Sequence, residues 1–444
     1  MRKLLIALFA LGLIFAFTAP AFATDASFSG YYRLRGFWFN NQAVTDENQP
    51  NSSNKAWYDN RLRVQMTLNV AEGLSVTGRF HAMDRVWGQY ETINVGKTNA
   101  IVDQGNNIYW HRAYMTFKTA IGKFDAGYQS GATWGTVYGD GEADGRARIK
   151  YTGVFGPMII LALTEKFKEE DGIDTTTNNE DSDWDAYALA GIYKWDGGNA
   201  GLLLYYLKDK SDTAPTAFGA AGAGNAGTST HLIPIPYFKA TFGPLYLEGE
   251  FIYFYGETDY DSAAQEDVDW KGTGGYLYAK FNMGPAYVGA QYAFRDGDDP
   301  TTRDYEAGYP GSDYNPCVLL WNDNTSGLGS YNNTAASWTA DGYSQTGTGI
   351  ANGSLLQVFA GFSPMENLNL KASLTYALAD QTAPGQDDEI GTEFDVEATY
   401  KIFDNLEYWI GFGYLVAGDY FKADDATNKI DDAWLIMHKL QMNF

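Results

Sequence analysis

Charged side chains recur at every second position in several stretches of this sequence, and that spacing is the first clue to their chemistry. Residues 58–80 read YDNRLRVQMTLNVAEGLSVTGRF, with Arg61 and Arg63 on one parity and Leu62 and Val64 on the other. A period of two is typical of a β-strand with one polar and one apolar face. Clusters of like charge on such a face select among ions and orient dipolar solutes.

The polar parity carries basic residues early in the chain and acidic residues later. The predicted basic wall consists of Arg33, Arg35, Arg61, Arg63, Arg79, Arg112, Arg146, Arg148 and Lys150. The predicted acidic wall consists of Glu248, Glu250, Glu393, Asp395 and Glu397. Opposed walls of this kind would set a transverse field across a narrow aqueous passage. The alternative is that both sets merely keep a lumen wet and pair across strands.

Long strands are needed to carry these faces. The turn at 72–73 joins two alternating runs, and a strand of ~9–11 tilted residues crosses a bilayer core. Eight short turns and nine long loops divide the chain, which predicts eighteen strands. Apolar residues on both parities at 158–164, and Pro234 and Pro236 in a later run, leave sixteen strands open. The predicted fold is all-β, a transmembrane antiparallel β-barrel with long extracellular loops and short periplasmic turns.

The first 23 residues have the pattern of a secretory signal peptide. Arg2 and Lys3 are followed by an apolar run and by the small residues Ala21-Phe22-Ala23. We expect cleavage after Ala23, so that residues 1–23 are the signal peptide and residues 24–444 form the barrel. The later sequence contains no run of ~18 apolar residues typical of a membrane helix.

The overall composition narrows the classes of function. The formal charge of −24 disfavours nucleic acid as a partner. Cys317 is the only cysteine, which rules out an intrachain disulfide and any CxxC metal or CxxCH haem motif, so we expect no cofactor. The 32 Tyr, 26 Phe and 12 Trp exceed the needs of a soluble domain and suit interfacial aromatic girdles.

Two loops stand out among the predicted connections. Loop 135–144 carries Asp140, Glu142 and Asp144 and is the third long loop, the candidate constriction loop. Loop 297–352 is a long insertion rich in Gly, Asn, Ser and Thr. A connection of this length either folds over or into the mouth as a functional loop, or is solvated.

The chain ends with the sequence WLIMHKLQMNF, in which Trp434, Leu440 and Phe444 share one parity. With the signal peptide and the repeated amphipathic hairpins, this ending resembles the Gram-negative outer-membrane porins. The resemblance implies that these three residues form the signal read by the barrel-assembly machinery. It also implies contact with outer-membrane lipid and lipopolysaccharide, and it is compatible with a homotrimer. His438 departs from the apolar residue usual on this face.

The resemblance predicts a passive diffusion channel for small hydrophilic solutes and ions, and no enzyme. The alternative is a substrate-specific channel for sugars or for small anions such as carboxylates or phosphate. More remote alternatives are an outer-membrane enzyme or a scaffold barrel. Only four histidines are present, none in metal-binding spacing, and GxSxG is absent. Tyr31, Phe37 and Phe39 share the parity of Arg33 and could form an aromatic track for solutes.

Cleavage after Ala23 gives the first testable prediction. The mature chain should begin at Thr24 and carry a formal charge of −26 instead of −24, because Arg2 and Lys3 are removed. Intact-mass measurement of protein extracted from membranes checks this, and a mass matching the full 444 residues would contradict it.

Overall fold

Alternation of polar and apolar residues produces a closed sheet of eighteen antiparallel strands. The computed structural model describes residues 25–46, 54–87, 108–131, 133–140, 143–169, 183–210, 227–261, 266–299, 301–307, 314–322, 328, 350–423 and 425–444. The predicted signal peptide lies outside these ranges. Within them, no helix is long and apolar enough to cross a membrane.

Each strand pairs with the next along the chain, and β1 pairs with β18 to close the barrel. This confirms eighteen strands rather than sixteen. The strands are β1 Asp25–Asn40, β2 Lys55–Ala71, β3 Leu74–Val86, β4 Ile108–Thr119, β5 Gly122–Gly131, β6 Ala143–Phe155, β7 Met158–Lys168, β8 Trp184–Trp195, β9 Gly198–Asp209, β10 Gly227–Phe242, β11 Leu245–Tyr260, β12 Val268–Met283, β13 Ala286–Arg295, β14 Gly353–Met365, β15 Leu368–Ala379, β16 Glu389–Phe403, β17 Leu406–Ala417 and β18 Ala433–Asn443. A short 3-10 helix, Asp419–Lys422, precedes β18.

Eight two-residue turns connect strands at one end of the barrel, at the predicted places. In the first of them Gly73 has φ of 75°, a left-handed conformation that favours glycine. The nine longer connections all lie at the other end, and both ends of the described chain lie on the side of the short turns. This arrangement is the one expected of an outer-membrane barrel.

The two prolines of β10 mark a local defect in the sheet. β10 keeps its register with β9 through Pro234 and Pro236. On the other side, pairing with β11 lapses between Leu232 and Tyr237. Proline has no N–H to donate, so a strand tolerates it only where the ladder can be interrupted.

The outer face of the barrel is apolar and exposed. Leu277, Leu356 and Phe394 are 45–55% exposed and point outward from the middle of their strands. Outward-facing aromatic side chains lie near both ends, namely Phe155, Phe242 and Phe281 near the turns and Trp38, Tyr187 and Tyr255 near the loops. An apolar belt between two aromatic girdles is the surface that a lipid bilayer requires.

The apolar core lies inside the barrel, toward the long loops. Two segments between strands fold into the lumen, the first inserted segment (133–140) and the second inserted segment (314–322). Tyr138 of the first, and Leu319, Leu320 and Trp321 of the second, are fully buried against the inner wall. Much of one side of the lumen is therefore packed protein.

Phe444 extends the β1–β18 pairing that closes the barrel: its N–H donates to Gly30 O at 3.0 Å, and its carbonyl accepts from Gly30 N at 2.8 Å. Trp434 and Leu440 lie on the same outer face as Phe444. His438 on this face lies between the rings of Tyr58 and Tyr408, 5.7 and 5.8 Å from their centroids. These aromatic contacts stabilise the imidazole of His438 on the lipid-facing surface. Recognition of this strand by the assembly machinery stays a prediction.

The assignment of faces predicts losses of stability of different size for two substitutions on β16. Val396 is 44% exposed on the outer face, whereas Thr399 faces the lumen. Val396→Arg should lower the free energy of unfolding by about 2–4 kcal/mol near the bilayer midplane, and Thr399→Arg should cost much less. Urea unfolding of protein folded into lipid vesicles measures both. Equal losses would contradict the assignment.

Candidate functional site: charged walls of the lumen

Strand register gathers the predicted basic wall on one side of the lumen. Arg33 lies opposite Arg61 on the neighbouring strand, and Arg79 lies opposite Arg112. Of the nine basic residues, Arg148 is buried and the rest are half-buried or partly exposed to the lumen. β18 adds Lys439, opposite Arg35 and outside the predicted basic wall.

Two aspartates neutralise part of the basic wall at β1 to β3. Arg35 binds Asp59 through both ends of its guanidinium group, with Nε–Oδ1 of 2.9 Å and Nη2–Oδ2 of 2.7 Å. Arg61 Nε donates to Asp84 Oδ2 at 2.8 Å. Bidentate pairs of this kind fix the orientation of the guanidinium plane as well as its charge.

Two further acids lie among the basic residues of β5 to β7. Glu165 accepts from Arg148 Nη2 at 2.5 Å, and Arg146 Nε lies 3.5 Å away. Asp125 lies 2.9 Å from Lys123 Nζ and 3.7 Å from Lys150 Nζ. The nine predicted basic residues and these four acids, Asp59 and Asp84 included, sum to a formal charge of +5, before Lys123 and Lys439 are counted.

A series of hydrogen bonds centred on His81 connects Arg63 of the basic wall to the counter-ion Asp84. Arg63 Nε donates to His81 Nε2 at 2.6 Å, which leaves the ring proton on Nδ1. Nδ1 lies 3.0 Å from the Tyr109 hydroxyl, which donates to Asp84 at 2.9 Å. The His111 ring lies against His81, with 3.5 Å between centroids. These hydrogen bonds fix the orientation of the Arg63 side chain within the basic wall.

The predicted acidic wall differs from the expected solvated face. Glu248, Glu250, Glu393 and Asp395 are all at least 91% buried. Glu248 accepts from the hydroxyls of Tyr246 and Tyr276 at 2.6 and 2.9 Å. Glu397 is the partly exposed member and binds Lys371 Nζ at 2.8 Å.

The buried acids hold the two inserted segments. Glu250 Oε2 accepts the backbone N–H of Thr136 at 2.5 Å. Glu393 accepts the backbone N–H groups of Leu319 and Leu320 at 2.7 and 2.8 Å. Because a segment without regular pairing leaves its N–H groups unsatisfied when buried, carboxylates on the wall are suitable acceptors for them.

The first inserted segment crosses the lumen from β5 toward β10–β13. Trp134 Nε1 donates to Ile235 O at 2.9 Å, and the Tyr138 hydroxyl donates to Phe294 O at 2.5 Å. The Arg295 guanidinium lies 4.8 Å from the centre of the Tyr138 ring. Burial raises the pKa of Tyr138 well above its usual value, so the phenol keeps its proton and acts as a donor.

Of the three acids predicted for loop 135–144, only Asp140 has a described side chain. Asp140 is exposed, and its backbone N–H donates to Thr136 O at 3.1 Å. Glu142 lies outside the described residues. Asp144 belongs to the start of β6, and its side chain lies outside the description.

A β-bulge explains why the alternation of residues does not predict Asp84 as a lumen-facing acid. Residues Met83 and Asp84 together oppose Arg61, and Met83 takes a positive φ of 54°. The bulge turns Asp84 into the lumen, where alternation from His81 alone would place Met83. A second register shift places His111 beside His81.

No protein-family model matches this chain, and no curated protein matches its sequence. Solved structures do share its fold. OccK8 (OprE) of Pseudomonas aeruginosa has 13% identity and a TM-score of 0.51, with 94% of this chain and 98% of that chain covered. A BenF-like porin from Pseudomonas fluorescens Pf-5 has 12% identity and a TM-score of 0.50, with 94% and 99% covered. The likeness confirms the predicted fold, a closed antiparallel β-barrel of the outer-membrane porin type.

Proposed function

We propose that this protein is a passive diffusion channel of the outer membrane for small hydrophilic solutes and ions, with a preference for anions. The observation that carries the proposal is the asymmetry of the lumen. The basic wall keeps a formal charge of +5 after its own counter-ions are counted, whereas four of the five acids opposite are buried. A passing ion therefore meets the basic side.

The basic wall is accessible to water as well as charged. The side chains of Arg61, Arg146 and Lys150 are 26, 27 and 29% exposed. Since the lipid-facing side of the same strands is apolar, this exposure is to the interior of the barrel. Partly hydrated guanidinium and ammonium groups can exchange water for a passing anion.

The first inserted segment acts as the constriction in this proposal. Its anchors at Ile235, Glu250 and Phe294 lie across the lumen from its origin after β5. A segment fixed at both sides divides the lumen and leaves the passage along the basic wall. Asp140, which is exposed at the end of this segment, then belongs to the rim of that passage.

The substrate-specific alternative has one supporting contact. The Tyr31 ring lies 5.9 Å from the Arg33 guanidinium and 5.0 Å from that of Arg63. Phe37 and Phe39, the other members of the expected aromatic track, are only 3 and 2% exposed and pack in the core. Current that saturates with, or is blocked by, a small carboxylate or phosphate would favour a specific site over a general pore.

An enzymatic role finds little support in the one described Ser–His pair. Ser229 Oγ lies 2.8 Å from His231 Nε2, but the two residues are 0 and 1% exposed. A buried hydroxyl of this kind offers no approach to a substrate. Homotrimer formation and contacts with lipopolysaccharide remain predictions from the resemblance.

Neutralising Arg61 and Arg63 tests the anion preference. Arg61→Gln/Arg63→Gln should shift permeability toward cations by at least about twofold, since a unit charge ~10 Å away changes the free energy of an ion by ~0.4 kcal/mol even in water. The zero-current potential of planar bilayers under a salt gradient measures it. Lys194→Gln/Lys401→Gln, which removes the same charge from exposed positions near the turns, is the matched control. Equal shifts in both doubles, or none, would refute the role of the wall.

Releasing the first inserted segment tests the constriction. Glu250→Ala removes the acceptor of the Thr136 N–H, a charged hydrogen bond worth about 1.5–3 kcal/mol. Amide hydrogen exchange in 133–140 should therefore accelerate roughly 10- to 150-fold, and single-channel current should fluctuate more. Glu257→Ala, at an exposed position of the same strand, should change neither. Unchanged current with faster exchange would mean that the segment does not limit the passage.

A further inference from the structure

The second inserted segment brings the only cysteine of the chain to two acids of the barrel wall. Cys317 Sγ and one carboxylate oxygen each of Glu393 and Asp395 lie within 4.8 Å of one another. The three residues are 5, 0 and 1% exposed. One ligand-type atom thus comes from the inserted segment and two come from consecutive lumen-facing positions of β16.

The carboxylates of Glu393 and Asp395 are not fully compensated by hydrogen bonds or cations among their described neighbours. Asp395 Oδ1 is buried and accepts no hydrogen bond within the described part of the chain, while Oδ2 accepts only from Ser373 Oγ, at 3.1 Å. The ammonium of Lys371, on the neighbouring strand, is bound to Glu397 at 2.8 Å. Two neighbouring carboxylates out of contact with water are costly unless a proton or a cation lies between them.

Gly413 of β17 lies against both carboxylates. A Cβ added there would come 2.8 Å from Val318 Cβ, 2.9 Å from Asp395 Oδ1 and 3.0 Å from Glu393 Oε1. A larger residue would therefore crowd the oxygens that face this position. The backbone N–H groups on Glu393 leave lone pairs on its oxygens, since each carboxylate oxygen can accept more than one bond.

We propose that Cys317, Glu393 and Asp395 bind a zinc ion that ties the second inserted segment to β16. Zinc accepts thiolate sulfur at ≈ 2.3 Å and carboxylate oxygen at ≈ 2.0–2.2 Å in a tetrahedral arrangement. The donor set disfavours Ca²⁺ and Mg²⁺, which take oxygen ligands, and a single cysteine cannot hold an iron–sulfur cluster. The fourth position is left to water or to the Thr375 hydroxyl, 3.4 Å from Cys317 Sγ.

A bound zinc ion would cross-link the second inserted segment to β16 inside the barrel. Without the ion, the second inserted segment is held to β16 by the two backbone hydrogen bonds on Glu393 and by apolar packing. With the ion, metal–ligand bonds join the same two elements, so the segment should move less. Metal supply would then control how firmly this half of the lumen is filled, independently of the anion preference proposed for the basic wall.

Cobalt alone is the probe for the test, because a thiolate–Co²⁺ bond gives a near-ultraviolet charge-transfer band that carboxylates do not. The full mature chain is folded in detergent with Co²⁺ present, and separately receives Co²⁺ after folding. Excess Ca²⁺ occupies the exposed acidic loops of a chain whose formal charge is −24. We expect one Co²⁺ per barrel, the charge-transfer band, and loss of the band when Zn²⁺ is added.

Three variants assign the ligands. Cys317→Ser should abolish the band, and Asp395→Asn should weaken Co²⁺ affinity at least about tenfold, the loss that even outer-shell changes cause. Glu407→Gln, which removes a lumenal acid from the neighbouring β17, should leave both unchanged. A wild-type barrel without the band by either route, or Co²⁺ affinity unchanged in Cys317→Ser, would overturn the proposal. A proton shared between Glu393 and Asp395 would then account for the pair.

Discussion

Closure of the sheet inside lipid is the constraint on which the rest of this structure depends. A bilayer offers no partner to a backbone N–H or C=O, so every strand must pair on both sides. Pairing of β1 with β18 satisfies that requirement, and the period of two then assigns each side chain to lipid or lumen. A slip of one residue would turn Arg61 and Arg63 toward lipid, at roughly 2–4 kcal/mol each near the midplane.

The closed wall also decides what the long loops can do. A segment that enters the lumen leaves the water at the mouth and must find acceptors for its N–H groups. Glu250 of β11 and Glu393 of β16 provide them to the first and second inserted segments, respectively. The same carboxylates that look in sequence like a pore lining thus stabilise packed protein inside the barrel.

In the proposed function, the division of the lumen into a filled acidic side and a partly exposed basic side is how a chain of formal charge −24 would present a positive passage. The counter-ions Asp59, Asp84, Asp125 and Glu165 hold the basic residues in fixed orientations without cancelling their sum. Orientation and surplus charge are separate requirements, and the basic wall meets both. Charged side chains held in fixed orientations give a field of constant direction, which orients a dipolar solute better than the field of mobile side chains does.

The sequence by itself determined most of the fold of this chain: the turn positions, a preference for eighteen strands over sixteen, and the two faces of the strands that alternate regularly. Those features follow from local alternation, and at Arg61 and Arg63 parity was sufficient to place both side chains in the lumen. Tertiary structure decided the rest. The bulge at Met83 turns Asp84 inward, and burial of Glu393 under Leu319 depends on a loop that meets the wall 74 residues later in the chain. Alternation carries no information on such contacts, because they depend on how backbone groups far apart in sequence satisfy one another in a closed space.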